Sequence, residues 1–400
     1  VLWLVSAFRH GTFKRIPRRF TLQPHQWLLA LLFAALLLFY TFYGVVKNAH
    51  PMAVGDVLLN QDLLWNVGNA NSFKLEFPPQ DIRFVGVRLQ YHYLTEMLTG
   101  ALSIVSGIIP YDIGAFYLQP FMLAALVACL YKLGRIMWEK SLFKSMLFTY
   151  SLFLFGCASL WAILPNGWSV FGNQGTTHLV TNINGMTTAF IFLSIFFGLL
   201  VPVMRQKYKA HWIRYLLLLC ALVMLIFAKG PVAAIVVCSL VITVLIGLLP
   251  RRATWRGIVF ALAAGGLFAV IYIVMFSSGA NDSIPFSLHG TLEQFGFRHI
   301  LALLWDTNIN LWRVAVPLAW LAQSFLMMPA AFPLFVRGLF HDIRHLPQMP
   351  QERMFATGVS FGGLLAFFWF DHPSLSQVYF MFAALFFLYM LAVDNIDYLH

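Results

Sequence analysis

The sequence predicts an all-α fold: a polytopic transmembrane helical bundle of about ten spans, with a large first extracytoplasmic loop containing short interfacial helices. Three observations predict it. The 400 residues are 60% hydrophobic and only 10% charged, where a soluble domain carries about 25% charged residues. Mean hydropathy is +0.77 and phenylalanine occurs 40 times, so a soluble fold has no means of hiding this much apolar surface. Finally, runs long enough to cross a bilayer recur along the whole chain, which reads as one transmembrane domain over 1–400. Its ends, Val1 and a His400 just past an apolar run, are those expected of a piece of a longer protein.

A spanning helix needs about 20 mostly apolar residues. Candidate spans are 27–46, 113–131, 145–164, 186–204, 213–228, 231–249, 257–276, 314–336, 354–370 and 377–393. Only Lys229 and Gly230 separate the fifth from the sixth, and Pro231 opens the sixth where its missing N–H does no harm. One helix through both would exceed a single crossing, so a tight hairpin is expected. Segment 94–109 is apolar but short and contains Glu96; it reads as interfacial or re-entrant.

Charge supports this order. Arg9, Lys14, Arg15, Arg18 and Arg19 precede the first span and place it with its start in the cytoplasm. Alternating from there, 19 of the 26 basic residues and five of the 15 acids fall on the cytoplasmic side, a net +14 against −3 outside. Had 94–109 crossed the membrane, every later loop would invert and the bias would collapse. The net charge of +11 is thus explained by positive inner loops, and no nucleic-acid partner is expected. No Gly-rich phosphate loop ending in Lys-Ser/Thr occurs, which argues against an ATP-driven motor, and no internal repeat of the transporter kind stands out. Cys129, Cys157, Cys220 and Cys238 lie in apolar runs without metal-ligand spacing and read as small buried hydrophobes.

Polar chemistry concentrates outside. The first outer loop and its interfacial segment occupy 47–110, with Asp56, Asp62, Glu76, Asp81, Arg83, Arg88 and His92. A loop this long has structure or function of its own. Residues 62–70 suit an amphipathic surface helix, Pro78-Pro79 bars helix beyond it, and Tyr91-His92-Tyr93 leads into 94–109. A carboxylate at a poorly solvated membrane face serves as a general base, basic side chains hold phosphate, and Trp65, Tyr91 and Tyr93 suit either an interfacial belt or a sugar ring. Lys229, charged between apolar helices, reads either as a functional cation or as a snorkelling side chain. The uncharged, Asn- and Gly-rich loop 165–185 suits carbohydrate; Asp371-His372 opens another outer loop, and 288–313 suits a second interfacial helix.

A large loop after the first span, with an acid near its start, resembles the GT-C class of membrane glycosyltransferases. The run PPQD at 78–81, then RxxGVxLxYHY at 83–93, together with Lys229-Gly230-Pro231 and 376–380 (SQVYF), is similar to stretches of bacterial GT-C-like membrane proteins. The resemblance covers most of the chain as architecture and about 60 residues as motif. It implies transfer of a sugar from a polyprenyl-phosphate-linked donor, in the cell envelope, at the outer face of a bacterial inner membrane. Asp62 is then the catalytic acid–base residue, with Asp56 its rival. Asp81, Arg83, Arg88, Tyr91, His92, Lys229 and His372 are expected to bind substrate. The loop has no Asp-X-Asp pair, so neither a metal nor another cofactor is expected. The partners are the lipid-linked donor and membrane lipids; oligomeric state is left open. The alternatives are a transporter or flippase for a lipid-linked sugar, and a catalytically silent GT-C-like subunit.

Overall fold

The computed structural model describes residues 61–84, 86–154, 185–205, 212–248, 254–276, 316–322, 331–371 and 377–399, with scattered helical positions between 24 and 38 and isolated positions at 286–287, 324–325 and 328. Every named element is helical: α1 Gln61–Ser72, α2 Leu94–Ser106, α3 Pro110–Met137, α4 Leu142–Leu154, α5 Met186–Met204, α6 Trp212–Ala228, α7 Gly230–Leu248, α8 Trp255–Phe276, α9 Phe332–Arg344, α10 Gln351–Trp369 and α11 Val378–Asp394. Among the described residues, strand pairing is confined to two isolated bridges, Gln80 with Arg88 and Phe286 with Phe370.

Five of the described helices are long and apolar enough to cross a membrane: α3, α5, α7, α8 and α11 with its short extension to Asp397. The expected spans 27–46, 145–164 and 314–336 lie partly outside the described residues. Helix α6 is apolar but short, and α10 carries Glu352 and Arg353 in its first turn. One boundary is corrected. Residues 332–336 open α9, with Pro333 in its first turn, instead of closing a span. Helix α2 has 13 residues, about 20 Å of rise, and stops at Gly107 in the left-handed conformation; it is too short to cross.

Local sequence explains the departures from regular helix. Pro120 has no N–H for the carbonyl of Phe116, and its ring crowds that carbonyl. The chain widens there into a π-helical stretch, Ile113–Leu118. Lys229 is the corner of the expected hairpin. Its N–H donates to the Leu225 carbonyl at 2.8 Å, closing α6, while its own carbonyl accepts from the Ala233 N–H at 3.2 Å, opening α7. Tyr215 in α6 and Phe260 in α8 have ring centroids 5.5 Å apart. Were α6 and α7 one straight helix, the run from Tyr215 to Leu248 would span about 50 Å, and that contact would not form.

The core is built around α11, buried continuously from Met381 to Val393. A helix apolar on all sides belongs at the centre of a bundle. Phe387 meets Phe197 of α5 at 5.0 Å and Phe355 of α10 at 5.6 Å between centroids. Helix α8 is the opposite case: Val259, Leu262, Val270, Ile273 and Val274 are exposed, as suits a lipid-facing element. Cys220 and Cys238 also lie on exposed helix faces, a correction to the expectation that they are buried.

One end of the bundle is tied by charge. Arg205 ends α5 and donates to Glu352 of α10 at 2.7 Å and to the Ile136 carbonyl of α3 at 3.1 Å. Lys144 of α4 pairs with Asp397 at 2.6 Å, and the Trp138 indole donates to Asp394 at 2.8 Å. Arg353 joins Asp342 of α9, Asp394 and Asn395. The helix ends gathered here, α3 and α5 finishing and α4 and α10 starting, are those the charge pattern assigns to one side.

Candidate functional site

The opposite end gathers a different set of residues. Helix α1 turns Leu63, Asn66, Asn69 and Ala70 inward, a spacing of three to four that marks one helical face. It crosses α2 at Gly100, where a Cβ would lie 2.6 Å from the Ala70 carbonyl oxygen. The buried face of α2 is polar: Thr95, Glu96, Thr99, Gly100 and Ser103. Its hydroxyls are satisfied, Thr99 on the Thr95 carbonyl at 2.8 Å, Ser103 on the Ile108 carbonyl at 2.7 Å, and Thr95 with the Thr188 hydroxyl of α5 at 3.0 Å.

Gly185, immediately before α5, has φ +79 and lies against both the Ala228 carbonyl and Thr95; a Cβ there would be 2.7 Å from that carbonyl oxygen. This approach locks the Lys229 corner to the start of α2. Lys229 is fully buried. Its ammonium stands 3.8 Å from the Tyr379 ring centroid and 5.6 Å from that of Tyr91. A cation over aromatic faces gains about 2 kcal/mol when desolvated. The side chain is folded inward under two tyrosines and does not reach out as a snorkelling lysine does.

An aromatic wall continues from there. Tyr91 meets His92 at 3.7 Å and Trp65 of α1 at 4.6 Å, and His92 meets Tyr379 at 6.1 Å between centroids. The Arg83 guanidinium lies 5.5 Å from the Trp65 ring centroid. Asp81 accepts from the Arg83 Nε at 2.9 Å and from Nη2 at 2.7 Å. The pair pins a turn whose backbone closes through Asp81 N–H to the Val87 carbonyl and Leu89 N–H to the Pro79 carbonyl, both at 2.8 Å.

Electrostatics in this layer follow burial and Lys229. Burial pushes the Glu96 carboxyl up to about 7, against the opposing pull of Lys229. Burial and the nearby ammonium hold His92 well below its usual range, so its imidazole is neutral. Burial lifts the Tyr93 hydroxyl to about 12, while the hydrogen bonds from Arg83 hold Asp81 below the usual carboxylate range. Glu96 titrates near neutrality beside a fixed cation, which suits proton transfer.

The lining also has unmet hydrogen-bonding capacity. The buried amides of Asn66 and Asn69, the Trp65 indole N–H, the Nε2 of His92 and the Tyr93 hydroxyl find no partner among the described residues. Buried polar groups are nearly always paired in folded proteins. A cluster of exceptions in this layer suits hydroxyl-bearing ligands or ordered water.

Of the residues expected from sequence, Lys229, Tyr91 and His92 come together. Asp81 and Arg83 form the next layer, reached through Trp65. Arg88 is exposed across the turn from Gln80 and stays apart from Lys229. Asp62 occupies the first turn of α1, three residues before Trp65, and its side chain lies outside the described residues. So do Asp56, His372, the loop 165–184 and segment 288–313. Sequence reasoning missed Glu96, Tyr379, Asn66 and Asn69. A carboxylate inside an apolar run is itself a signal, and Glu96 was read only as a sign that its segment does not span. Among the described residues no His, Cys, Asp and Glu cluster suits a metal ion. Compared with protein-family models, curated proteins and solved structures, the chain matches none.

Proposed function

We propose that this is an integral membrane glycosyltransferase of the GT-C type, transferring a sugar from a polyprenyl-phosphate-linked donor at the end of the bundle that holds Lys229. The observation that supports it most is a fully buried lysine fixed at a one-residue helical corner, beside a carboxylate, a neutral imidazole and an aromatic wall. A lipid-linked donor keeps its tail in the bilayer, so its phosphate must reside near the membrane face. The acceptor oxygen bonds to the anomeric carbon as the carbon–oxygen bond to phosphate breaks. The hydroxyl proton passes to a carboxylate, Asp62 or Glu96, and Lys229 stabilises the charge gathering on the leaving phosphate. Preorganised stabilisation of this kind contributes about 3–4 kcal/mol for one donor.

The transporter alternative is less well supported. Buried charged residues among those described are Asp81, Glu96 and Lys229 at one end and Lys144, Asp342 and Glu352 at the other; a translocation path would carry them at mid-depth. The test is binding of polyprenyl phosphate against polyprenol by protein in nanodiscs, followed by release of polyprenyl phosphate from a panel of lipid-linked sugars. The reading expects preference for the phosphate, lost in Lys229→Met. Equal binding of polyprenol and polyprenyl phosphate would overturn it.

A further inference from the structure

We propose that the groove along α9 is a binding site for one anionic phospholipid, at the end of the bundle opposite Lys229. Helix α9 turns Phe332, Phe335, Gly338 and Asp342 inward, with Gly338 packed on Asn395. Its other side exposes Phe340 and Ile343 among Arg337, His341 and Arg344. A cavity of about 1050 Å³ runs beside it. Leu321, Phe325, Val336 and Phe340 give it an apolar floor, and Arg337 and Arg344 stand with His341 and His345 at its rim. That pairing of wall and rim is the chemistry of an acyl chain ending in a phosphate diester.

Charge selects an anionic occupant. Asp342 receives the Arg353 Nε on both oxygens at 2.8 Å and stands 3.6 Å from the His341 Nδ1, so its charge goes to Arg353 and His341 and leaves the two rim arginines uncompensated. Arg337 and Arg344 make no ion pair among the described residues. Seven residues apart, they stand on one helical face about 10 Å along the axis, a spacing that brackets one headgroup with His341 between. The groove shares its end of the bundle with Arg205, Lys144 and Arg353, the side the charge pattern assigns to the cytoplasm. That leaflet carries the anionic lipid.

Native mass spectrometry of the delipidated protein, titrated with phosphatidylglycerol or phosphatidylcholine of identical chains, tests the site. One phosphatidylglycerol adduct is expected, preferred roughly 30-fold over phosphatidylcholine, since each basic residue near an anionic lipid is worth about a factor of five. The double variant Arg337→Gln, Arg344→Gln should bind both lipids alike; both residues are exposed, so folding should persist. Phe340→Ala should weaken both lipids equally, because it removes floor and not charge. Inorganic phosphate in tenfold excess should not displace the lipid. Equal binding of the two lipids by the unaltered protein, or an undiminished preference in the double variant, would overturn the proposal.

Discussion

The ammonium of Lys229 sits 3.8 Å from the centre of the Tyr379 ring. The first residue is the corner between α6 and α7, and the second lies in the first turn of the central helix α11. One contact therefore couples the hairpin to the core and removes a charge from the membrane interface. The electrostatic attraction belongs to the ring and not to its hydroxyl.

Tyr379→Phe keeps the ring face and should melt above Tyr379→Leu in detergent. Tyr379→Leu keeps the apolar bulk but removes the ring, and should cost about 2 kcal/mol, the value of a desolvated cation–π contact. Equal melting of the Leu variant and the unaltered protein would mean that Lys229 draws its stability from other neighbours.

In the proposed transfer reaction two carboxylates are candidates for the base, and paired variants separate them. Asp62→Asn and Glu96→Gln each keep size while removing the proton acceptor. Loss of a general base typically costs about 10²–10⁴ in rate. The resemblance to GT-C enzymes leads us to expect that loss in Asp62→Asn, with folding intact by circular dichroism. Should Glu96→Gln lose transfer while Asp62→Asn keeps it, the base is the residue beside Lys229. Single-turnover release of polyprenyl phosphate is the measurement, because it isolates chemistry from binding.

How much of this was legible in the sequence depends on whether a feature is local. The hairpin was, because Lys229-Gly230-Pro231 carries its own turn chemistry between two apolar runs. So was α1, bounded by Pro78-Pro79. The start of α9 was not, because Phe332 to Val336 is as apolar as a span and only Pro333 signals a new first turn. The polar lining was not, because nothing local distinguishes Asn66 and Asn69 from any surface asparagine. They become unusual only when α2 crosses at Gly100 and buries them. Likewise Glu96 gains its meaning from Lys229, 133 positions along the chain, and Tyr379 from the same lysine at the end of α6.

Glu96 also gives the protein a pH-dependent stability. Burial raises its folded pKa from the ordinary carboxyl value of 4.5 to about 7. The sign follows from linkage: the contribution is fully present below about 4.5, where the carboxyl is protonated folded or unfolded, and is lost as pH rises through about 7. His92 works the other way, with stability present above its ordinary range and lost on acidification. Comparing the unaltered protein with Glu96→Gln cancels the histidine. The melting temperature of Glu96→Gln minus that of the unaltered protein should grow from pH 5 to pH 8. A difference constant across that range would place the Glu96 carboxyl in water.

The far end of the bundle offers the sharpest stability test. Arg353 contacts Asp342 through Nε, Asp394 through Nη1 and Asn395 through Nη2, so one planar guanidinium joins α9, α10 and the end of α11. Its side chain is 11% exposed and that of Asp342 8%, which limits screening by solvent. Arg353→Met removes the cation and leaves buried Asp342 with only His341 at 3.6 Å; breaking a buried ion pair typically costs about 3–5 kcal/mol. Arg353→Lys should recover only part of this, because a single ammonium cannot reach three acceptors with a planar fork. Adding Asp342→Leu to Arg353→Met should restore most of the loss, since the stranded charge is then gone. Melting of the unaltered protein, Arg353→Met, Asp342→Leu and the double variant in one detergent closes the cycle and gives the coupling. If Arg353→Met alone melts like the unaltered protein, the three helix ends are held by their apolar contacts and the ion network is incidental.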